Sequence, residues 1–256
     1  MKNCIISISI VLLSLVFLVP GCEKKDEFPS DPLSDYMDMQ VGKYIIYQLD
    51  STKFINFGQK DTVVSYLAKD VVDAEITDNL GRPTWRVVRY LRDTGSTSED
   101  DWKASLTYMV TPTRETVELT ENNFRYVKLK LPVKDGYDWL GNSYLPANPY
   151  LGSYPFSNDE DIQQWKYLYE DVNTPLTLNN KTYDNTISVF QIGDSVNVPI
   201  AFPDGIAYRN YWIEKYAKGV GLIYREIVMW EYQPPAGSNS AYKQGFGIKM
   251  TILDHN

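Results

Sequence analysis

Side chains that could act as catalysts or metal ligands are few in this chain of 256 residues. Its single histidine, His255, is next to last in the sequence. Catalytic triads and zinc sites built on imidazole need a histidine held inside a fold, so the composition argues against both. The two cysteines, Cys4 and Cys22, both lie near the amino terminus. We therefore expect no site built on imidazole or thiol chemistry.

Carboxylates are more numerous, and two clusters of them, Ser98-Glu99-Asp100-Asp101 and Asn158-Asp159-Glu160-Asp161, could bind a hard cation such as calcium. Neither cluster has the ligand spacing of a calcium loop, and both lie in predicted loops, so solvated charge is the favoured interpretation. A glycosidase needs two carboxylates facing each other across a cleft, and with 33 acidic residues the sequence nominates no pair. We expect no catalytic residue, no metal and no cofactor.

Aromatic side chains make up 14% of the chain and are concentrated in residues 137–156, which show no strand periodicity. Trp139, Tyr144, Tyr150 and Tyr154 are the candidate ligand-binding residues of this segment. Their rings could stack on a sugar or cover an apolar ligand. The alternative, which we favour, is a structural loop that buries its own rings over the mouth of the sheet.

The charge balance and the amino terminus indicate where the protein acts. With 33 acidic and 25 basic residues the net charge is -8, which argues against nucleic acid as a partner. Residues 1–21 have the order of a secretory signal peptide, with Lys2, an apolar stretch over residues 4–19, and small Gly21 before Cys22. This stretch is shorter than the roughly 20 residues that span a bilayer. Cleavage after Gly21 would remove one positive charge and change the net charge from -8 to -9.

The tetrapeptide Val19-Pro20-Gly21-Cys22 resembles the lipobox of bacterial lipoproteins. The resemblance implies that Cys22 is acylated and anchors the mature protein in a membrane, with residues 22–35 as a flexible tether. Within this tether, Lys25-Asp26-Glu27 looks like the signal that sends lipoproteins of Bacteroidetes to the cell surface. The implied location is the outer membrane, with the protein exposed at the surface or otherwise facing the periplasm.

Residues 36–256 are predicted to form one β-rich domain. Short β-branched and aromatic runs alternate with turn residues, which gives about ten strands. One of them, over residues 124–133, places apolar side chains at positions 127, 129 and 131 and polar or aromatic ones between them. Only residues 159–165 suggest a helical turn. The expected fold is therefore mainly β: one strongly curved antiparallel sheet, a half-barrel or a lipocalin-like barrel, with few short helices.

Three segments resemble a family of uncharacterised β-rich lipoproteins common in Bacteroidetes. They are residues 36–47, residues 132–141 with Gly136-Tyr137-Asp138-Trp139, and residues 217–223 with Gly219-Val220-Gly221. The resemblance implies a β-rich scaffold and the cellular compartment of lipoproteins, and it assigns no catalytic residue. On physical grounds, Gly219 and Gly221 should supply positive φ or close packing at a tight reversal between two strands.

These patterns favour a membrane-tethered, non-enzymatic binding or accessory module for an apolar or carbohydrate ligand. The alternative is a structural or assembly partner of an outer-membrane protein complex, which would use the same surface for protein contact. A carbohydrate hydrolase is the least favoured of the three. The predicted partners are thus the membrane, through the lipid on Cys22, and a glycan, a lipid or an outer-membrane protein.

Overall fold

The computed structural model describes residues 30–256, which form one antiparallel sheet of 12 strands. The strands are β1 (Tyr44–Ile55), β2 (Lys60–Thr77), β3 (Pro83–Asp93), β4 (Lys103–Pro112), β5 (Thr116–Glu121), β6 (Phe124–Lys130), β7 (Asp138–Leu140), β8 (Lys166–Leu178), β9 (Lys181–Val196), β10 (Ala207–Ala217), β11 (Gly221–Gln233) and β12 (Tyr242–His255). Their order across the sheet is β6-β5-β4-β3-β2-β1-β12-β11-β10-β9-β8-β7. The predicted fold class, a single curved antiparallel sheet, is confirmed.

The two edge strands, β6 and β7, approach each other and nearly close the sheet into a barrel. Val127 donates its backbone N–H to the carbonyl of Gly141 at 2.8 Å, and Trp139 donates its indole N–H to the carbonyl of Val127 at 2.8 Å. Lys130 donates its backbone N–H to the hydroxyl of Tyr169 at 2.9 Å. These bonds pair backbone groups that an open sheet edge would leave free.

Two segments cover the ends of this barrel-like sheet. The N-terminal cap, residues 30–39, lies beside the β10–β11 hairpin, where Gly219 donates its N–H to the carbonyl of Asp35. The loop cap, residues 141–165, lies at the opposite end, where Asn158 hydrogen-bonds to Asn210 near the start of β10. The two caps therefore close opposite ends of the same sheet.

Each cap packs against its own apolar cluster. The main cluster contains Leu33 and Tyr36 of the N-terminal cap together with inward residues such as Tyr47, Tyr216, Ile223 and Met250. The loop cluster contains Phe156 and Ile162 of the loop cap together with Leu119, Tyr126, Trp212 and Met229. Inward residues of one strand contribute to both clusters, because Trp212 and Tyr216 lie four positions apart on the same face of β10.

The N-terminal cap is fixed by polar contacts as well as by burial. Lys218 Nζ lies 2.9 Å from Asp31 Oδ1 and 2.9 Å from Asp35 Oδ2, and Ser30 Oγ accepts the N–H of Val133 at 2.8 Å. The sequence predicts a flexible tether up to residue 35. In the structure, residues 30–35 of that tether lie against the sheet, with Leu33 buried.

Several strand boundaries differ from the predicted ones. β7 lies inside residues 137–156, where we expected no strand, because three residues are too few to show a period. β6 ends at Lys130 instead of continuing to residue 133, since Pro132 has no N–H to donate to the sheet. β8 continues to Leu178, and the reversal into β9 uses Asn179 and Asn180, both with positive φ.

Helices are short in the described part of the chain. Three 3-10 turns are present, Leu33–Asp35, Glu99–Asp101 and Ile162–Gln164, and none of them is long and apolar enough to cross a membrane. The reversal between β10 and β11 agrees with the sequence prediction, because Gly219 and Gly221 have φ of 76° and 107°.

Candidate functional site

A cavity of about 60 Å³ lies inside the sheet beneath the N-terminal cap. Its walls are mainly apolar and are formed by Met37, Met39, Ile45, Val72, Val87, Val110, Leu119, Val220 and Leu222. The polar side chains that line it are Asp38, Lys43, Tyr44, Tyr47, Asp70, Tyr108, Tyr216 and Arg225. An apolar enclosure with a few polar groups is the usual form of a small-molecule site.

A buried ion cluster centred on Glu214 lies next to this cavity. Glu214 Oε1 accepts hydrogen bonds from Lys128 Nζ at 3.0 Å and from Arg225 Nε at 2.8 Å. Its other oxygen, Oε2, accepts from Gln191 Nε2 at 3.0 Å and from the Tyr216 hydroxyl at 2.9 Å. Glu214 has no exposed surface, and burying a charge so completely is tolerable only because both carboxylate oxygens are paired.

A β-bulge brings Lys128 to this cluster. Along the β5–β6 pair, Glu118 faces Val127 while Val117 faces Leu129, so Lys128 is an extra residue in β6. A bulge changes the direction of a side chain relative to the regular alternation. The amine of Lys128 accordingly reaches Glu214 on β10, on the far side of the interior.

A second ion cluster is centred on Asp70. Arg89 donates to Asp70 from Nε at 2.6 Å and from a terminal nitrogen at 2.7 Å, which is the two-point geometry favoured by arginine and carboxylate. The Tyr108 hydroxyl donates to the same carboxylate at 2.9 Å. Asp70 and Arg89 are both buried, and the Asp70 carboxylate accepts three hydrogen bonds in all.

Electrostatics keep these groups in fixed protonation states. Burial opposes ionisation of Glu214, but the charges of Lys128 and Arg225 outweigh it and lower its pKa to about 2. Burial, reinforced by the neighbouring carboxylates, raises the pKa of Tyr108 and of Tyr216 well above the usual range. Near neutral pH, Glu214 is thus an anion and the two phenols are proton donors that are already engaged.

The donor that remains available to the cavity is Arg225. This side chain is only 7% exposed, and its Nε is used by Glu214, but no described residue accepts a hydrogen bond from its two terminal nitrogens. The other donors in the lining are occupied, since Tyr47 donates to the carbonyl of Leu222 at 2.9 Å and Lys43 pairs with Asp38 at 3.0 Å. The cavity therefore presents a guanidinium edge among apolar walls.

The charges of the two ion clusters are balanced when a neighbouring carboxylate is included. The two ion clusters contain three basic side chains, Arg89, Lys128 and Arg225, and two acidic ones, Asp70 and Glu214. The carboxylate of Glu121 acts electrostatically on all three basic side chains, and including it brings the formal sum to zero. Burial is the largest single influence on both Lys128 and Arg225. It lowers the pKa of the Lys128 amine, whereas at Arg225 the combined attraction of Glu214 and Glu121 outweighs it and raises the pKa of the guanidinium.

The four aromatic residues singled out in the sequence do not line this cavity. Trp139 is buried and packs beside Tyr169, with ring centroids 4.6 Å apart. Tyr150 packs edge-on against Phe246 at 5.4 Å, and Tyr154 is stacked on Phe156 within the loop cap. Their rings are packed against other rings.

Tyr144 is the exception, since it is 54% exposed and lies under the guanidinium of Arg125 at 4.2 Å. Cys22, the predicted lipidation site, lies outside the described residues. The binding role of the four aromatic residues stays a prediction.

One of the two carboxylate clusters differs from its predicted solvated state. Residues 98–101 form an exposed turn, with Ser98 Oγ accepting the N–H of Asp100. Asp159, in contrast, is completely buried. Its Oδ2 accepts the N–H of Tyr150 at 3.2 Å, and this hydrogen bond ties the loop cap together. Carboxylates that organise loops in this way cannot be distinguished from solvated ones by composition.

Sequence reasoning missed Arg225 and Glu214, although a signal was present. Ile223, Arg225 and Ile227 share one face of β11, as Trp212, Glu214 and Tyr216 share one face of β10. A charged residue between two large apolar ones on the buried face of a strand is unusual, since an unpaired charge there is costly. This pattern predicts a buried ion pair in the interior.

Comparisons with known proteins add little to this geometry. No protein-family model matches the chain, and no curated protein matches its sequence significantly. Among solved structures, the chain is similar to a crystal structure of a Vibrio parahaemolyticus domain that is named for outer membrane lipoprotein sorting. The match covers 84% of this chain and 85% of that chain, at 9% sequence identity and a TM-score of 0.21, which is too low to support an argument about fold or function.

Proposed function

We propose that this protein is a membrane-tethered, non-enzymatic binding module whose interior cavity takes an apolar ligand carrying one anionic group, such as a fatty carboxylate. The observation that carries the proposal is the buried guanidinium of Arg225, whose terminal nitrogens line an apolar cavity without a partner among the described residues. These nitrogens keep some accessible surface, so they can donate to a ligand in the cavity, and a carboxylate would accept two parallel hydrogen bonds from them.

The size of the cavity determines how such a ligand would enter. About 60 Å³ accommodates only a head group with a few carbons, whereas sites for larger ligands measure roughly 300 to 1,000 Å³. The remaining chain of the ligand would take the place of Met37 and Met39, which are only partly buried. Methionine side chains are flexible and polarisable, so they can be displaced by an alkyl chain at modest cost.

The position of the cavity supports a tethered protein that meets its ligand at a membrane. The N-terminal cap covers the cavity, and the cap begins only eight residues after Cys22. An extended chain spans at most about 3.6 Å per residue, so an acylated Cys22 would lie within roughly 30 Å of the cap. We propose lipidation of Cys22 and attachment to the outer membrane on this basis and on the lipobox resemblance.

The buried carboxylates favour binding over hydrolysis. A glycosidase needs one carboxylic acid that is protonated near neutral pH, together with a second, ionised carboxylate. Glu214 has a pKa of about 2, and Asp70 is held by two hydrogen bonds from Arg89. Both carboxylates are therefore engaged as counter-ions, and neither is poised as a general acid.

The test uses the full chain held in phosphatidylcholine nanodiscs and titrated by calorimetry with octanoate and with the matched alcohol, octanol. We expect octanoate to bind more tightly than octanol, and Arg225→Gln to weaken octanoate at least about tenfold, the loss of one charge-assisted hydrogen bond. Arg209→Gln, on the outer face of β10, is the matched control and should leave binding unchanged.

Because Arg225→Gln could unfold the protein, Val87→Phe provides a second variant that fills the cavity and leaves the ion clusters intact. Equal binding of octanoate to the wild type and to both variants would overturn the proposal. Replacement of Cys22 by Ala, followed by the mature mass and the partition into membranes, tests the anchor independently.

A further inference from the structure

A second concave site lies at the other end of the molecule, beside the loop cap. This loop-side groove has a volume of about 550 Å³ and is lined by Asn158, Trp165, Asp194, Tyr208, Asn210 and Glu231, among others. It lies where β9 and β11 end and β10 begins. Its size falls within the roughly 300 to 1,000 Å³ of typical ligand sites, unlike that of the interior cavity.

Two aromatic rings in the groove are held in position. Trp165 stands edge-on to the buried Trp212, with an interplanar angle of 89° and centroids 5.3 Å apart. Tyr208 donates its hydroxyl to Asp194 at 2.9 Å, which fixes both side chains. Neither Trp165 nor Tyr208 is fully buried, so ring surface faces the groove. Fixed rings of this kind offer flat apolar surfaces at little cost in conformational entropy.

Amides and carboxylates surround these rings. Asn158 donates to the Oδ1 of Asn210 at 2.9 Å, and Asn210 donates back to the carbonyl of Asn158 at 2.7 Å, so the reciprocal pair is rigid. Glu231 accepts the N–H of Ser157 at 3.3 Å and is 7% exposed. Polar groups with fixed directions can distinguish one arrangement of hydroxyls from another.

The charge of the groove defines what it excludes. Four carboxylates line it, those of Glu160, Asp161, Asp194 and Glu231, and no basic side chain is among the described lining residues. A phosphorylated or sulfated ligand would meet uncompensated negative charge. Hydroxyl groups, in contrast, donate hydrogen bonds to carboxylates.

From the rings, the fixed amides and the missing basic residues, we propose that the loop-side groove binds an oligosaccharide without anionic groups. One face of a sugar ring would lie on Trp165, and its hydroxyls would donate to Asp194 and Glu231. This site is independent of the interior cavity, because the two lie under different caps and share no lining residue.

The test titrates the full chain in nanodiscs with maltotriose, cellotriose, chitotriose and glucosamine trisaccharide, and follows tryptophan fluorescence and heat. A heparin tetrasaccharide and spermidine complete the series. We expect at least one trisaccharide to bind and the heparin fragment not to bind. Asp194→Asn should weaken the bound trisaccharide about tenfold, because a hydrogen bond to a charged acceptor is replaced by one to a neutral acceptor.

Asp184→Asn is the matched control, since Asp184 is exposed at the other end of the same strand, β9. Tyr208→Phe is the second variant, because it removes only the hydroxyl that orients Asp194. Binding of spermidine alone, binding of no trisaccharide below about 10 mM, or equal binding by all variants would overturn the proposal. Octanoate binding would be unaffected by each of these results, so the two proposals fail separately.

Discussion

The N-terminal cap and the loop cap close opposite ends of one sheet with different side chains. The N-terminal cap uses Leu33, Tyr36 and two methionines, and a cavity remains beneath it. The loop cap uses rings, with Tyr150 and Tyr154 both packed against Phe246. Interlocked rings fix one another, whereas methionines can adopt many shapes. The N-terminal end is therefore the more adaptable of the two, while the loop end presents a rigid surface.

A layer of buried charged side chains lies between the main cluster and the loop cluster. On β10, Glu214 lies between Trp212 of the loop cluster and Tyr216 of the main cluster. On β11, Arg225 lies between Ile223 of the main cluster and Ile227, which packs against the loop cluster. The two apolar clusters are thus joined by a layer whose stability depends on complete pairing of its charges.

The largest effect should come from breaking that layer. Glu214→Gln removes the anion and leaves Lys128 and Arg225 buried without their hydrogen-bonded counter-ion. We expect a loss of about 3 to 5 kcal/mol in the free energy of unfolding, measured by urea titration. The exposed substitution Asp184→Asn should change it little. A small loss for Glu214→Gln would mean that the charged layer does not join the two clusters.

Acid should produce the same loss in the wild type. The pKa of Glu214 in the folded protein, about 2, lies below its ordinary value of 4.5. The stabilisation by ionised Glu214 is therefore complete above about pH 5 and is lost as the pH falls towards 2. Glu214→Gln should show a shallower decline over this interval when unfolding is followed at each pH.

A smaller effect is expected at the N-terminal cap. Leu33 is 6% exposed, and Leu33→Ala should reduce the free energy of unfolding by about 2 kcal/mol through the cavity it leaves. Leu80, in the turn between β2 and β3, is 70% exposed, and Leu80→Ala serves as the control. If Leu33→Ala and Leu80→Ala have the same free energy of unfolding in urea, the N-terminal cap is not part of the cooperative fold. The N-terminal end would then be still more adaptable, relative to the loop end, than its packing indicates.

The smallest effect, and one of opposite sign, is expected in the loop cap. Burial raises the pKa of Asp159, and no described residue donates a hydrogen bond to its Oδ1. Asp159→Asn keeps an acceptor for Tyr150 and removes the buried charge, so we expect a gain of about 1 kcal/mol at neutral pH.

The gain in stability from Asp159→Asn should disappear at acid pH, where the Asp159 carboxyl is neutral in both the folded and the unfolded protein. Asp161→Asn, in the same loop but exposed, is the control for thermal unfolding at both pH values. Destabilisation by Asp159→Asn would contradict this expectation and would mean that the negative charge, and not only the hydrogen bond accepted from Tyr150, holds the loop cap.

The sequence predicts the sheet well because its strands carry local signals. The glycines between β10 and β11 depend only on neighbouring residues, and the structure agrees with that prediction. The predicted alternation in β6 is wrong at Lys128, because the bulge turns its side chain inward and residues 126 to 129 are all buried. The contact between Lys128 and Glu214 joins positions 86 residues apart, and no local pattern specifies that pairing. The N-terminal cap was missed for a different reason, since Leu33 lies in a segment whose prolines and charges are typical of a tether.

The pairing of β1 with β12 has a consequence for how the sheet forms. Most strands pair with their sequence neighbours, so β1 to β6 and β7 to β12 can each assemble as a meander from short-range contacts. The two meanders join only where β1 meets β12, with Ile45 opposite His255, and where β6 approaches β7. Loop closure makes such long-range pairing slow. Until it occurs, each meander keeps two free edge strands, β1 and β6 in one and β7 and β12 in the other, so the half-assembled chain is the state most exposed to aggregation.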